Sequence, residues 1–544
     1  MNWLKKYWIE LITLLVIGTV IINALAPAWT WVNTDSDGAH YTLAAKYLWL
    51  SHDTSAPLFL LLGRLFLFIP FGTDAWRFGL ILALSTIVAS VIIYQIVRYH
   101  LKDNPKQRFY AIIASLIYGG SALVISQSTI IDTYAFVTML GLLAYYLAIQ
   151  KRWIWVSVVI GLLWATHTLF AWMVWIPILV QFKPLRDRLL VGITFSFLLF
   201  YLYIPIVVVI NNPPDMWNNA TIKGFFTSTS GVLSMLTGQI AIYDIPKRIL
   251  DTIGILGVSL GFGFIILALT LWKIRKTERA LFWLTIIPVI YFIINISPQV
   301  YVYLMPTIAF GVIVIALGLS KLRIGWSCVT ALVAIGLLIF NGYYFDIGKN
   351  LDPNMSAMKF YNEELPKIPD GQIFMGGGWN WAMVYLYNKE NDRDIVIVST
   401  DSLPSNDYLD QLESQGIKLV RSKSDNGIDK QWETALSIAE NNEGVWIVRD
   451  TDARTYGAEM VPARGNEELM TRWLGYEVVP EWKWMPSNPY SFISGSLEVS
   501  EWKFFLKTNR NAIFFISLAG IGWIINDWLW RANSTTKRKV TSEA

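Results

Sequence analysis

Apolar runs long enough to cross a bilayer recur along this chain, and no other feature restricts its fold as much. A helix of about 20 apolar residues spans the roughly 30 Å hydrocarbon layer. Such runs lie near 8–29, 75–98, 109–127, 131–150, 153–166, 168–182, 189–210, 250–272, 280–296, 300–320, 324–341 and 511–530. Alternate connections between them are basic: Lys5/Lys6, Arg98/Lys102/Lys106/Arg108, Lys151/Arg152, Lys183/Arg186/Arg188, Lys273/Arg275/Lys276/Arg279, Lys321/Arg323, and Arg531 with Lys537/Arg538/Lys539. Basic connections stay in the cytoplasm. The pattern predicts a mainly α polytopic membrane protein with about 12 transmembrane helices, both termini cytoplasmic, in the plasma membrane. A cleaved signal peptide ending at Ala24-Leu25-Ala26 fits less well, because Pro27 follows and losing the first run would invert the bias of every later loop.

Charge divides the chain in the same way. Residues 342–510 hold 43 of the 84 charged side chains, 17 basic and 26 acidic, while the remainder carries 27 and 14. A charged fraction of 15% and a mean hydropathy of +0.44 exclude an ordinary soluble domain. The net +4 therefore reports orientation and gives no sign of nucleic acid as a partner. Three parts are expected: a membrane domain over 1–341, whose first outer loop covers 30–74; a small extracytoplasmic α/β domain over 342–510; and a last span with a basic tail over 511–544.

Two segments need separate treatment. Residues 153–182 exceed one span but have basic flanks on both sides, which predicts a hairpin with its tip at Thr166-His167-Thr168. Residues 56–71 are too short to span and would break the charge alternation, so they read as an interfacial or re-entrant outer helix. Within 342–510, β-rich runs at Gln372–Met375, Asp394–Ser399, Ile417–Val420 and Val445–Val448 alternate with helix-like stretches at Asp407–Gln415 and Gln431–Asn441. Gly376-Gly377-Gly378 fits a tight strand-to-helix turn better than a phosphate cradle, since no phosphate-loop motif follows.

The single cysteine, Cys328, rules out a disulfide framework and a cysteine metal site. The expected topology puts eight of the membrane part's 14 acids on the outer side, together with His40, His52 and His167. Ionisable groups at a membrane boundary are costly and are usually paired or functional. The densest cluster is the first loop, Asn33 to Tyr41, with Asp35 and Asp37. Asp35 or Ser36 can cap the stretch that follows, Thr42–Leu50, whose apolar positions Leu43, Tyr47 and Leu50 are expected on the membrane surface. Desolvation there raises carboxylate basicity, so an acid could serve as general base; the D-x-D pair is equally what a helix start and its dipole favour. Asp132 is either another helix-start residue or a second acid of the same cavity. Among the outer-side bases Lys46, Arg64, Arg77, Lys223, Lys247 and Arg248, a phosphate-bearing substrate would need some.

The run from Asp35 through His52-Asp53-Thr54-Ser55-Ala56-Pro57-Leu58-Phe59 and Leu62-Gly63-Arg64-Leu65-Phe66 to Ala75-Trp76-Arg77 resembles a broad family of multi-span membrane proteins. That family includes the eukaryotic O-mannosyltransferase acting on plexin-type domains and belongs to the GT-C class of glycosyltransferases. The resemblance continues at Asp132-Thr133-Tyr134-Ala135-Phe136, at His167 and at Ile373–Tyr387, and so covers most of the chain. It departs where the family has Asp-Ser-Gly-Glu and His-Pro-Pro-Gly. The literal match puts the family's aspartate on Asp35; counting back from His52 puts it on Asp37, with His40 in place of the glutamate.

The resemblance implies a GT-C-like fold and an inverting glycosyltransferase that moves a sugar from a polyprenyl-phosphate-linked donor to a protein or glycan acceptor. Asp35 or Asp37 would be the catalytic base, and His40, His52, Arg64, Asp132, His167 and Arg248 would bind substrate. The resemblance names no certain cofactor, since related enzymes work both with and without a divalent ion, which Asp35-x-Asp37 could hold. A transporter or flippase of lipid-linked sugars is the alternative; it would place charges and helix breakers within spans and show an inverted repeat, and no clear repeat is present.

Overall fold

Inside a bilayer the backbone must satisfy its own hydrogen bonds, so apolar runs become helices. The computed structural model describes residues 2–25, 37–51, 56–211, 245–261, 263–294, 302–350, 360–376, 379–403, 405–424, 427–452 and 457–463. The expected span 511–530 and the basic tail lie outside them.

The first helices are α1 (Asn2–Ala24), α2 (Asp37–Tyr47), α3 (Pro57–Leu67), α4 (Asp74–His100), α5 (Gln107–Gly120), α6 (Ala122–Ser128), α7 (Tyr134–Ile149), α8 (Trp153–Trp164) and α9 (Thr168–Gln181). Then come α10 (Arg188–Ser196) and α11 (Tyr203–Asn211), joined by a 3-10 stretch, and the helices Ile245–Leu260, Gly263–Ile274, Arg279–Ile294, Met305–Leu319 and Ile324–Asn350. Four described stretches, Tyr7–Ala24, Asp74–His100, Arg188–Asn211 and Val302–Leu319, are long and apolar enough to cross a membrane, and a bent pair makes a fifth. Several shorter apolar helices accompany them. Val302–Leu319 is 83% buried, which makes it the centre of the bundle. The hairpin is present as α8 and α9 around a turn at Ala165–His167.

The expected continuous span 109–127 is instead broken: α5 and α6 meet at 62°. At the break Gly120 lies against the helix Ile324–Asn350, where a Cβ would come within 2.9 Å of the Leu338 nitrogen and 3.1 Å of the Ala334 oxygen. Asn341 Nδ2 donates to the Gly120 carbonyl at 2.6 Å, taking over a bond that the continuing helix would have supplied. Beyond it, Ser126 and Thr129 return their hydroxyls to carbonyls of their own short helix.

The helix Ile324–Asn350 runs across the expected boundary at 341. Past it lies a four-stranded sheet in the order β2-β1-β3-β4, with β1 Ile373–Gly376, β2 Val396–Ser399, β3 Val445–Asp452 and β4 Gly457–Pro462. β1 pairs in parallel with β2 and β3, and β4 is antiparallel to β3. Ile417–Val420, expected as a strand, is not one. Its backbone bonds to side chains of the helix Gly427–Asn441 instead: Lys418 N to Asn442 Oδ1 at 3.0 Å just beyond that helix, and Val420 N to Ser437 Oγ at 2.9 Å. A helix at Trp379–Asn391 follows β1, in line with the strand-to-helix turn expected at Gly376-Gly377-Gly378, and packs on α2.

Candidate functional site

The expected membrane-surface helix α2 is in fact enclosed. Leu43 and Ala44 are fully buried and Leu50 nearly so. On one side Tyr41 meets Phe59 of α3 edge-on at 5.2 Å, and Phe59 continues to Phe78 of α4 and Phe136 of α7. On the other, His40 stacks on Trp381 with centroids 4.4 Å apart, and Trp49 meets Tyr385 at 5.3 Å with Lys389 above its ring. A hydropathy pattern marks an apolar stripe but does not say whether lipid or protein covers it, and here both flanks are protein.

The C-terminal end of α2 is fixed by side chains from distant helices. Helix ends leave carbonyls without partners, yet the six from Ala44 to Trp49 each have a donor. Trp49 N binds the Ala44 oxygen at 3.0 Å, and one Arg64 nitrogen reaches Ala45 at 3.1 Å and Lys46 at 2.7 Å. Asn211 Nδ2 reaches Tyr47 at 3.1 Å and Leu48 at 2.7 Å, and the Tyr203 hydroxyl reaches Trp49 at 2.9 Å. Lys46 forms ion pairs with Asp74, at 2.8 Å, and with Glu390; Asp74 also pairs with Arg77 and Glu390 accepts from Tyr361. Burial disfavours the Lys46 charge, but these two carboxylates outweigh it and hold its pKa above the ordinary lysine value. Arg64, expected to face a lipid phosphate, is thus occupied in closing a helix.

The N-terminal end is different. The helix begins at Asp37, and Gly38 lies so close to the α6–α7 connection that a Cβ there would be 3.5 Å from the Ile131 Cβ. The next residue along that connection is Asp132, 4% exposed, whose Oδ1 accepts from the Thr133 backbone nitrogen. Tyr134 follows, with its ring 5.9 Å from His167 and 5.4 Å from Tyr303. His167 caps α9 through Nδ1 to the Phe170 nitrogen at 3.5 Å, and its Nε2 lies 3.4 Å from the Tyr303 hydroxyl. Tyr303 stacks on Phe170 and meets Tyr291 at 4.8 Å. The next residue, Phe292, carries the Arg248 guanidinium 5.3 Å above its ring. The N-terminus of α3 joins the group, since Leu58 N binds the Ala165 oxygen at 3.1 Å.

Of the sequence-predicted residues, the structure therefore brings the start of α2 together with Asp132, and Asp132 with His167 through Tyr134. Arg248 lies over Phe292, the neighbour of Tyr291 in the helix Arg279–Ile294. Arg64 stands at the other end of α2, about 15 Å along an 11-residue helix. His40 is 2% exposed and lies in the seam with Trp381. Asp35, His52, Lys223 and the side chains of Asp37 and Lys247 lie outside the described residues. Among the described residues no group of three or more His, Cys, Asp or Glu is arranged to hold a metal ion. Sequence reasoning missed Tyr291 and Tyr303, because tyrosines at span ends read as ordinary interface anchors.

An acid beside a rim of aromatic faces can orient an uncharged polar ring and deprotonate a hydroxyl, and a guanidinium on a neighbouring ring can receive an anion. No family model matches the chain, and no curated protein does. Among solved structures it is similar to ArnT from Cupriavidus metallidurans bound to undecaprenyl phosphate, at 11% identity and TM-score 0.49 over 77% of this chain and 97% of that one. The apo state of ArnT gives 11% identity and TM-score 0.45, over 75% and 95%. Identities and scores this low assign no residue roles to this chain.

Proposed function

We propose that this chain is an integral membrane glycosyltransferase of the GT-C class, resembling the multi-span family named above. It transfers a sugar from a polyprenyl-phosphate-linked donor to a protein or glycan acceptor on the extracytoplasmic face, in the plasma membrane, with both termini cytoplasmic. The observation that carries this reading is the approach of α2's N-terminus to Ile131-Asp132, which brings two acid-bearing segments of the family resemblance to one place.

In the proposed reaction the acceptor oxygen attacks the anomeric carbon and the bond from that carbon to the phosphate oxygen breaks with inversion. A first-loop carboxylate, Asp35 or Asp37, takes the hydroxyl proton. The polyprenyl phosphate leaves toward Arg248, whose planar guanidinium suits two phosphate oxygens. Asp132 and His167 sit with Tyr134 and Tyr303 where the sugar would lie. Resting on the sheet and on α2, the helix Trp379–Asn391 forms the cover of the first loop.

The test is transfer by purified protein in detergent from a radiolabelled polyprenyl-phosphate sugar. Loss of transfer in Asp35→Asn or Asp37→Asn, with folding intact, is expected; full activity in both sinks the assignment. A flippase of lipid-linked sugars is the second reading, favoured by the broken span at Gly120-Ser121. Turnover without vesicles excludes it.

A further inference from the structure

Glu10 is a buried carboxylate inside an apolar helix, and the proposed reaction does not use it. It accepts from the Tyr94 hydroxyl at 2.7 Å and from Arg108 through Nε at 2.6 Å and Nη2 at 2.8 Å, so one arginine neutralises it. Arg98 remains. Its guanidinium lies over the Tyr94 ring at 5.6 Å and its Nε is 3.4 Å from Gln107 Oε1, and no carboxylate pairs with it among the described residues. One positive charge is thus left over.

Arg98, Gln95 and Ser115, with Glu10 and Tyr94 beside them, give the polar side of a cavity of about 340 Å³ between α1, α4 and α5, and Leu11, Leu14 and Ile112 give its apolar side. That size falls in the range of small-molecule sites, about 300–1,000 Å³. Leu11 is also exposed, as are Ile12 and Leu15, so the cavity continues onto the apolar flank of α1. It lies at the end of α4 that carries Lys102 and Lys106 just beyond it, away from the Asp37–Asp132 end. Because Arg108 already holds the Glu10 carboxylate of this lining, the Arg98 guanidinium keeps its charge without a paired carboxylate among the described residues, and such a cation in a membrane helix bundle calls for an anion.

We infer that this cavity binds the phosphate group of an anionic membrane lipid, with the headgroup on Arg98 and a chain running out along Leu11 and Leu15. The site is separate from the reaction proposed above and stands without it. Free phosphate shares the headgroup chemistry but makes no use of the apolar wall.

The test uses the full-length protein in detergent, followed by native mass spectrometry with phosphatidylglycerol, phosphatidylcholine or inorganic phosphate in separate arms. Phosphatidylglycerol is expected to bind and phosphatidylcholine not to. Arg98→Ala should weaken binding about tenfold, the worth of one charge-assisted hydrogen bond, and Arg98→Lys should keep most of it. Leu11→Trp, on the exposed wall, should block the chain path and weaken phosphatidylglycerol to a similar extent, which keeps the test decisive if Arg98→Ala fails to fold. Undiminished affinity in either weakened variant, equal binding of phosphatidylcholine, or displacement of the lipid by inorganic phosphate at similar concentration overturns the inference.

Discussion

At its C-terminal end α2 presents six carbonyls, and side chains or backbone from α3, α11 and its own turn reach all of them. At its N-terminal end the same helix begins with an acid, against a connection that carries another acid, beside a rim of tyrosines and a histidine. One end is held by partners that only stabilise; the other gathers groups that can do chemistry. In the proposed reaction the fixed end of this short helix sets the position of the other, and positioning to a fraction of an ångström is what catalysis requires.

The largest expected effect lies at the reactive end. Replacing the proposed general-base carboxylate, Asp35 or Asp37, by Asn should lower kcat by about 10²–10⁴-fold without moving the melting temperature in detergent; an equal loss of stability would make that end structural too. Arg64→Lys comes next, because an ammonium cannot reproduce the guanidinium that spans two carbonyls. It should cost about 2 kcal/mol of stability, read from thermal unfolding. A tenfold rise in donor KM with unchanged melting would instead return Arg64 to the substrate and erase the contrast. Asn211→Leu should cost about 1–2 kcal/mol, having removed the donor from Tyr47 and Leu48.

Lys46→Met should cost less, about 1 kcal/mol after solvent screening, and should loosen the helix Trp379–Asn391 enough to speed its proteolysis. The same contact predicts a pH profile. A lysine pKa raised by folding stabilises fully below the ordinary value of 10.5 and loses that stabilisation as pH climbs through the raised one. The Lys46 contribution should therefore be flat from about pH 6 to 9 and fall only above about 10.5; a decline near neutrality would mean that another group holds the seam.

Much of the helical skeleton was legible in hydropathy: the runs 75–98, 131–150, 153–166, 168–182, 280–296 and 300–320 fall on described helices, whereas 109–127 is broken, 250–272 is divided between Ile245–Leu260 and Gly263–Ile274, and 511–530 lies outside the described residues. The α8–α9 hairpin was legible for a further reason: basic flanks on both sides of an overlong apolar run force an even number of crossings. The break at Gly120 was not, because the 2.9 Å approach of Leu338 belongs to a helix more than 200 residues away. Nor was the loss of a strand at Ile417–Val420, whose apolar run looks β-like but whose bonds go to Ser437 and to Asn442. Within the candidate site, Asp37, Asp132 and His167 stood out as ionisable groups at span ends. Tyr291 and Tyr303 did not, because a ring's role depends on what it faces.

Sequence alone determined which segments are apolar enough to become helices, where charge collects between them, and which acids fall at helix starts, because hydropathy and charge are local properties. Tertiary structure decided that α2 is enclosed rather than laid on lipid, that Arg64 closes a helix instead of facing outward, and that Asp132 stands beside the first loop. Those outcomes depend on which distant segment arrives to cover an apolar stripe or to bond a carbonyl.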